Sequence, residues 1–213
     1  MKVRIQKVLS ERGVCSRRKA ESYIQKGWIK VNNDIITDPA HKIDPETDII
    51  TLSKEIEQEQ ENFHYLAFHK PKGIITNCPQ GNEKEIKDLL PDHYKSCHAI
   101  GRLDKDSEGL ILLTNDGIFA KNCLQSDHPH TRTYKVWLNY PITDAQLKKL
   151  SEPMTLFGKK TKPIQLKQLN KQTLELSLIE GKNRQIRRLI QKVGLQVTRL
   201  KRLSFGDILL SDL

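Results

Sequence analysis

Residues 99–117 read "AIGRLDKDSEGLILLTNDG", with four acids, two bases and three glycines set around a short apolar run. A continuous apolar run of this length, bounded by turn residues, has the pattern of a buried strand. "GLILL" is therefore expected to be such a strand, and the residues before it a turn that the strand holds in place. Asp104, Asp106 and Glu108 crowd into that turn. Calcium is one reading, because "DKDSEG" puts oxygen ligands at loop positions 1, 3 and 5 and glycine at 6. The calcium loop also requires a bidentate glutamate at position 12, and Asn115 stands there instead. A plain turn explains Asp106, Ser107, Glu108 and Gly109. It does not explain "GRLD", where Arg102 and Asp104 flank an apolar leucine.

The strand texture extends outward from Phe63. "HYLAFHKP", "GIIT", "GLILLTN", "RTYKVWL" and "TLELSLIEG" are β-rich. Helical patterns interrupt them at "NEKEIKDLLP", "TDAQLKKLSE" and "KNRQIRRLIQKVG". In the last, Ile186, Leu189, Ile190 and Val193 share one face, and Arg184, Arg187, Arg188 and Lys192 share the other. This order of elements predicts an α+β domain over residues 63–213, with a mixed, mainly antiparallel sheet flanked by helices. Upstream, Val3, Ile5, Val8 and Leu9 recur at helical spacing and Gly13 stops that element. Ser16 caps a second helix that Gly27 ends. "WIKVNNDIIT" reads as a hairpin turning at Asn32-Asn33. Residues 1–52 thus form a small module of two helices and a hairpin. The acidic "SKEIEQEQEN", residues 53–62, reads as a linker with some helical tendency. There is no internal repeat.

The net charge of +10 is unevenly placed. Residues 1–30 carry +7 and residues 181–202 carry +8, which leaves −5 for the rest of the chain. Two basic faces on a mildly acidic body predict a polyanionic partner, most simply nucleic acid. The bland reading is two solvated helix faces. Neither segment has the aromatic-rich apolar face of a membrane-surface helix. No apolar run reaches the roughly 18 residues of a membrane span, and the start of the chain turns polar too early for a signal peptide. The four cysteines are scattered without a CxxC pair, which argues against a zinc ribbon or disulfide framework and for a reducing cytoplasm. His128 and His130 in "DHPH" raise the question of a metal, but no third ligand follows at helical spacing.

"GRLDKDSEGLILLTNDG" resembles the signature of the bacterial pseudouridine synthases of the RsuA/RluB/RluF group. Other segments extend the resemblance over nearly the whole chain. "HKPKG" resembles the family's strand-turn before the active site, and "RTYKV" its tyrosine motif. "EGKNRQIRRLIQKVGLQVTRLKRLSFGDI" resembles its C-terminal motif. "RIQKVLSERGVCSRRKAESYIQKGWIKVNN" is similar to the small RNA-binding domain shared with ribosomal protein S-four. The chain departs from the pattern at Ser107, where many members have threonine. It departs again at "GDILLSDL", where relatives usually continue into a further short segment.

The resemblance implies isomerisation of a specific uridine to pseudouridine in ribosomal RNA, with large-subunit RNA favoured over small-subunit RNA. No redox change or group transfer occurs, so no cofactor or metal is expected. It makes Asp104 the essential carboxylate, as nucleophile or as general base at the sugar. A buried anion needs a partner, and the resemblance implies that Arg187 of "RQIR" supplies it, as the family's motif arginine does; from the residues alone Arg187 reads as one more phosphate-binding arginine on a basic helix. Tyr134 is expected to be the third catalytic residue, its ring stacking on the extruded uracil and its hydroxyl serving in proton handling. Arg102 is assigned to positioning the flipped nucleotide, and Ile186 and Leu200 to packing around the pocket. RNA contacts are assigned to Arg17, Arg18 and Lys19, and to Arg184, Arg188, Lys192, Arg199, Lys201 and Arg202. The expected partner is ribosomal RNA or a pre-ribosomal particle, met in the cytoplasm by a monomer without membrane attachment. A non-catalytic RNA-binding or ribosome-assembly factor could use the same surfaces. A metal-dependent nuclease built on the acid cluster is a third reading, which activity in EDTA would exclude.

Overall fold

The computed structural model describes residues 1–125, 130–211 and 213. The chain forms two compact units: residues 1–65 with 96–98 and 114–122, and residues 66–95, 99–113 and 123–213.

The first unit holds β1 (Val3–Arg4), α1 (Ile5–Glu11), α2 (Arg17–Gln25), β2 (Ile29–Val31), β3 (Asp34–Ile35), β4 (Lys42–Ile43), β5 (Ile50–Leu52) and α3 (Lys54–Gln60). The first helix starts later than its periodicity predicts, because Val3 is taken into a strand pair with Ile43. Ser16 caps α2, its hydroxyl accepting from the Lys19 amide at 3.3 Å. β2 and β3 form the expected hairpin, and Asn32 and Asn33 both take the positive φ that a two-residue turn of this hand requires. Ile5, Leu9, Tyr23, Ile24, Ile29 and Ile43 build the core. The polar segment read as a linker is helical over α3 and is tied into this core. Ile56 is 1% exposed, Glu59 pairs with Lys19 and Lys26, and Gln60 Nε2 donates to the Val14 carbonyl at 2.8 Å. A single isoleucine and matched charges are enough to dock a helix that is polar on its other faces.

From Tyr65 onward the elements are β6 (Tyr65–Lys70), β7 (His98–Ala99), β8 (Glu108–Thr114), α4 (Gly117–Leu124), β9 (Arg132–Leu138), α5 (Asp144–Ser151), β10 (Thr155–Leu156), β11 (Lys159–Lys160), β12 (Gln165–Asn170), β13 (Thr173–Leu178), α6 (Gln185–Lys192), β14 (Val197–Phe205) and β15 (Ile208–Leu209). The main sheet runs β12-β13-β9-β14-β8-β6, with β15 added to β14 and β7 to β8. β12, β13, β9 and β14 are antiparallel neighbours, whereas β14 runs parallel to β8. This is the mixed, mainly antiparallel α+β sheet expected from the sequence. Val136, Leu174, Leu176 and Leu200 from the strands pack with Leu150 of α5 and Leu189 and Ile190 of α6. A capping box at Thr143 and Gln146 starts α5.

Four local expectations differ. "GIIT" makes no strand; Ile75 contributes an isolated bridge to Glu85. "NEKEIKDLLP" tightens into a short 3-10 helix at Ile86–Leu89. α4 was hidden behind a turn signal, "NDG"; Asp116 Oδ1 accepts from the amides of Ile118 and Phe119 and so starts the helix. Glu108, read as a loop residue, opens the buried strand β8.

Candidate active site

The turn before β8 is held from several sides. Thr76 clamps Leu103: its Oγ1 accepts from the Leu103 amide at 3.1 Å and donates to the Leu103 carbonyl at 2.7 Å. The Gly73 amide donates to the Lys105 carbonyl, and the Ser107 amide to that of Asp104. Lys70, fully buried at the end of β6, donates from Nζ to the Ser107 carbonyl at 2.8 Å and to that of Pro71 at 3.1 Å. These bonds fix the backbone on either side of Asp104. Sequence reading picked out "HKPKG" but neither Lys70 nor Thr76 within the site. A lysine closing an apolar strand before proline was the available signal.

The register of the sheet brings distant residues beside that turn. Gly109 pairs with Arg202 in the parallel ladder, Arg202 with Tyr134, and Leu200 with Val136. The result is an open cleft of about 630 Å³ in the second unit. Asp104, Arg102, Tyr134, Ile186, Arg187 and Leu200 all line it, together with Arg184. Ile186 and Leu200 are buried beneath it, and Tyr134 is half-buried.

The ion pairs differ from the expected ones. Arg184, not Arg187, meets Asp104, with Nη1 at 3.3 Å from Oδ2. Arg184 also forms a fork on Asp106, both distances being 3.1 Å. Arg184 has φ +49, a left-handed residue at the head of α6, where a bulky side chain is held against a cost of about 1–3 kcal/mol. Arg187 instead anchors the turn. Its guanidinium donates to the carbonyls of Asp106 and Val197 and lies 3.2 Å from the Asp106 carboxylate. Partial burial pushes the Asp106 carboxyl up, but the Arg184 hydrogen bond and the charges of Arg187 and Arg184 outweigh it and hold the carboxyl below its ordinary value. Asp106 is thus a bridge between two arginines rather than a solvated turn residue. Burial pushes the Lys70 ammonium down to about 8, against the opposing pull of Asp104, Asp106 and Glu108.

The residues assigned to RNA contacts fall into three groups. Arg17 and Arg18 are exposed on α2 in the first unit, while Lys19 is engaged with Glu59. Arg188 and Lys192 are exposed on α6, and Arg199 is exposed but paired with Glu108 at 2.6 Å. Lys201 is half-buried. Arg202 is a correction: it is 2% exposed, and its Nε donates to the Leu110 carbonyl. The alternation of β14 turns it inward, so it holds the sheet and offers no surface to a phosphate. His128 lies outside the described residues, and His130 packs against the Phe205 ring. Among the described residues no group of three or more His, Cys, Asp or Glu is arranged to hold a metal ion.

The RNA pseudouridylate synthase family model matches residues 64–192, more than half of the chain. The chain belongs to that family. The S4 domain model matches residues 3–49. The dual-specificity RNA pseudouridine synthase RluF of Shigella flexneri is 34% identical over 99% of this chain and 72% of its own length. The ribosomal large subunit pseudouridine synthase B of Bacillus subtilis is 34% identical over 99% of this chain and 88% of its own. A solved pseudouridylate synthase superposes with a TM-score of 0.70 at 26% identity, covering 99% of this chain and 91% of that one. Family membership makes the chain an RNA pseudouridine synthase, an isomerase, and the S4 match lies ahead of the synthase match.

Proposed function

We propose that this chain isomerises a specific uridine of ribosomal RNA, with large-subunit RNA favoured, and that Asp104 is its catalytic carboxylate. The observation that carries the assignment is the Asp104 side chain in the open cleft, on a backbone pinned by Thr76 and Lys70, with Tyr134 in the same wall. In the reaction the N1–C1′ bond breaks, the uracil turns, and a C5–C1′ bond forms. The C5 proton is released and N1 ends protonated, so the net change is an isomerisation. Asp104 serves as nucleophile or as general base at the sugar. Both roles use the ionised carboxylate, and Arg184 supplies its counter-charge.

Tyr134 offers a ring face to the extruded uracil, and Arg102, exposed at the mouth, positions the nucleotide. Ile186 and Leu200 give the apolar floor. Residues 1–52 act as the RNA-binding module and 63–213 as the catalytic domain. Arg17, Arg18, Arg188, Lys192 and Arg199 supply phosphate contacts whose energy offsets the cost of flipping, while Arg184 is committed to Asp104 and Asp106. The names of the relatives support ribosomal RNA or a pre-ribosomal particle as the partner. Among the described residues no helix is long and apolar enough to cross a membrane. A cytoplasmic monomer fits this reading.

The test is Asp104→Asn on a large-subunit ribosomal RNA transcript carrying [5-³H]uridine. Tritium release should fall by at least about a thousandfold, while RNA affinity and thermal midpoint stay near wild type. Release at the wild-type rate would end the proposal, and a wild-type chain that binds without releasing tritium would favour a non-catalytic assembly factor.

A further inference from the structure

The hairpin of β10 and β11 is turned by Phe157 and Gly158. Both have positive φ, +53 and +75. A two-residue turn of this kind favours Asn-Gly, and a bulky residue at its first position is an outlier. Phe157 is also 60% exposed. The hairpin does not need this ring, because Leu156 and Thr161 anchor it, each 5% exposed. The ring therefore sits at the tip against both backbone preference and hydrophobic preference, which is the signature of a residue kept for contact with something else.

Its surroundings say what that partner is. The Arg188 guanidinium lies over one face of the ring, 4.6 Å from the centroid. Arg188 in turn donates to the carbonyl and the side chain of Asn183, which lines the active-site cleft. Lys182, also in the cleft wall, donates to the Lys160 carbonyl of the hairpin. Lys159 and Lys160 are exposed beside the tip. An aromatic ring in a cationic setting, linked through two side chains to the cleft, has the chemistry of a stacking platform for an unpaired base on a polyanionic strand. We infer that Phe157 and Arg188 form a base-stacking site for an unpaired nucleotide flanking the target uridine. This rests on the RNA reading above.

The test uses Phe157→Asn and Phe157→Trp in the full chain, with filter binding to an unmodified large-subunit ribosomal RNA transcript and tritium release as readouts. Asparagine suits the turn, so the thermal midpoint should hold or rise and misfolding does not confound the result. Affinity should fall roughly fivefold or more, the loss of one stacked base. The slope of log affinity against log salt should not change, since no phosphate contact is removed, whereas Arg188→Ala should lower it by about one. Phe157→Trp should keep the affinity. Wild-type affinity in Phe157→Asn, with the wild-type chain binding and isomerising normally, would overturn the inference alone. A wild-type chain that does not bind the transcript would remove the RNA reading and this inference with it.

Discussion

The Lys70 ammonium has no solvent around it and spends its hydrogen bonds on the carbonyls of Pro71 and Ser107, in the turns around Asp104. Its folded pKa of about 8 lies below the unfolded value near 10.4. The folded state therefore binds this proton less tightly. The resulting penalty of about 3 kcal/mol is fully present below pH 8 and fades as pH rises toward 10.5. Lys70→Met removes the titration and also the two bonds. Urea unfolding at pH 7 and pH 9.5 should show wild type gaining on Lys70→Met at the higher pH; a gap that is equal at both would show that Lys70 does not titrate in this range. The same scale shows where the sequence ran out. Arg184 and Arg187 lie on neighbouring turns of one basic helix, so spacing alone cannot choose between them. Arg184, on left-handed backbone at the head of that helix, is the one that meets Asp104, and no sequence pattern for a non-glycine residue announces that backbone.

β8 and β14 are the pair on which the site is built, and their approach is close. Gly109 has φ +107, and a Cβ there would lie 2.3 Å from the Arg202 carbonyl oxygen and 2.6 Å from its amide nitrogen. Gly109→Ala must push two ladder partners apart. A loss of at least about 3 kcal/mol is expected from the denaturation midpoint, with isomerase activity falling as the Asp104 turn shifts from Leu200. A midpoint near wild type would mean that the ladder can part here at little cost. Periodicity made β8, β9, β13, α5 and α6 legible, because each buries one clear apolar face or run. It failed for β14, whose charges at Arg199, Lys201 and Arg202 read as a surface for RNA. One of those charges is in the core, its Nε held by a carbonyl that only the folded sheet provides, while its Nη2 is buried without a hydrogen-bond partner. The same limit hid α4, since Asp116-Gly117 is equally good chemistry for a turn and for a helix start.

For the whole molecule, the uneven charge predicts binding that is strongly salt-dependent. Arg17 and Arg18 are exposed and take part in no ion pair among the described residues. Replacing both with alanine should leave the thermal midpoint unchanged, weaken filter binding of ribosomal RNA, and lower the salt slope by about one to two. An unchanged slope would remove these residues from the interface. The strand order has another consequence. β14 lies between β9 and β8, and Arg202 bonds a carbonyl 92 positions earlier in the chain. During translation at about 5–20 residues per second, one edge of β8 waits roughly 5–20 s for its neighbour to be made. That edge belongs to the most apolar strand of the sheet. Asp104 is thus synthesised midway, but its half of the fold closes only when the last strands emerge, so a nascent chain in that window is open to misassembly and to chaperones.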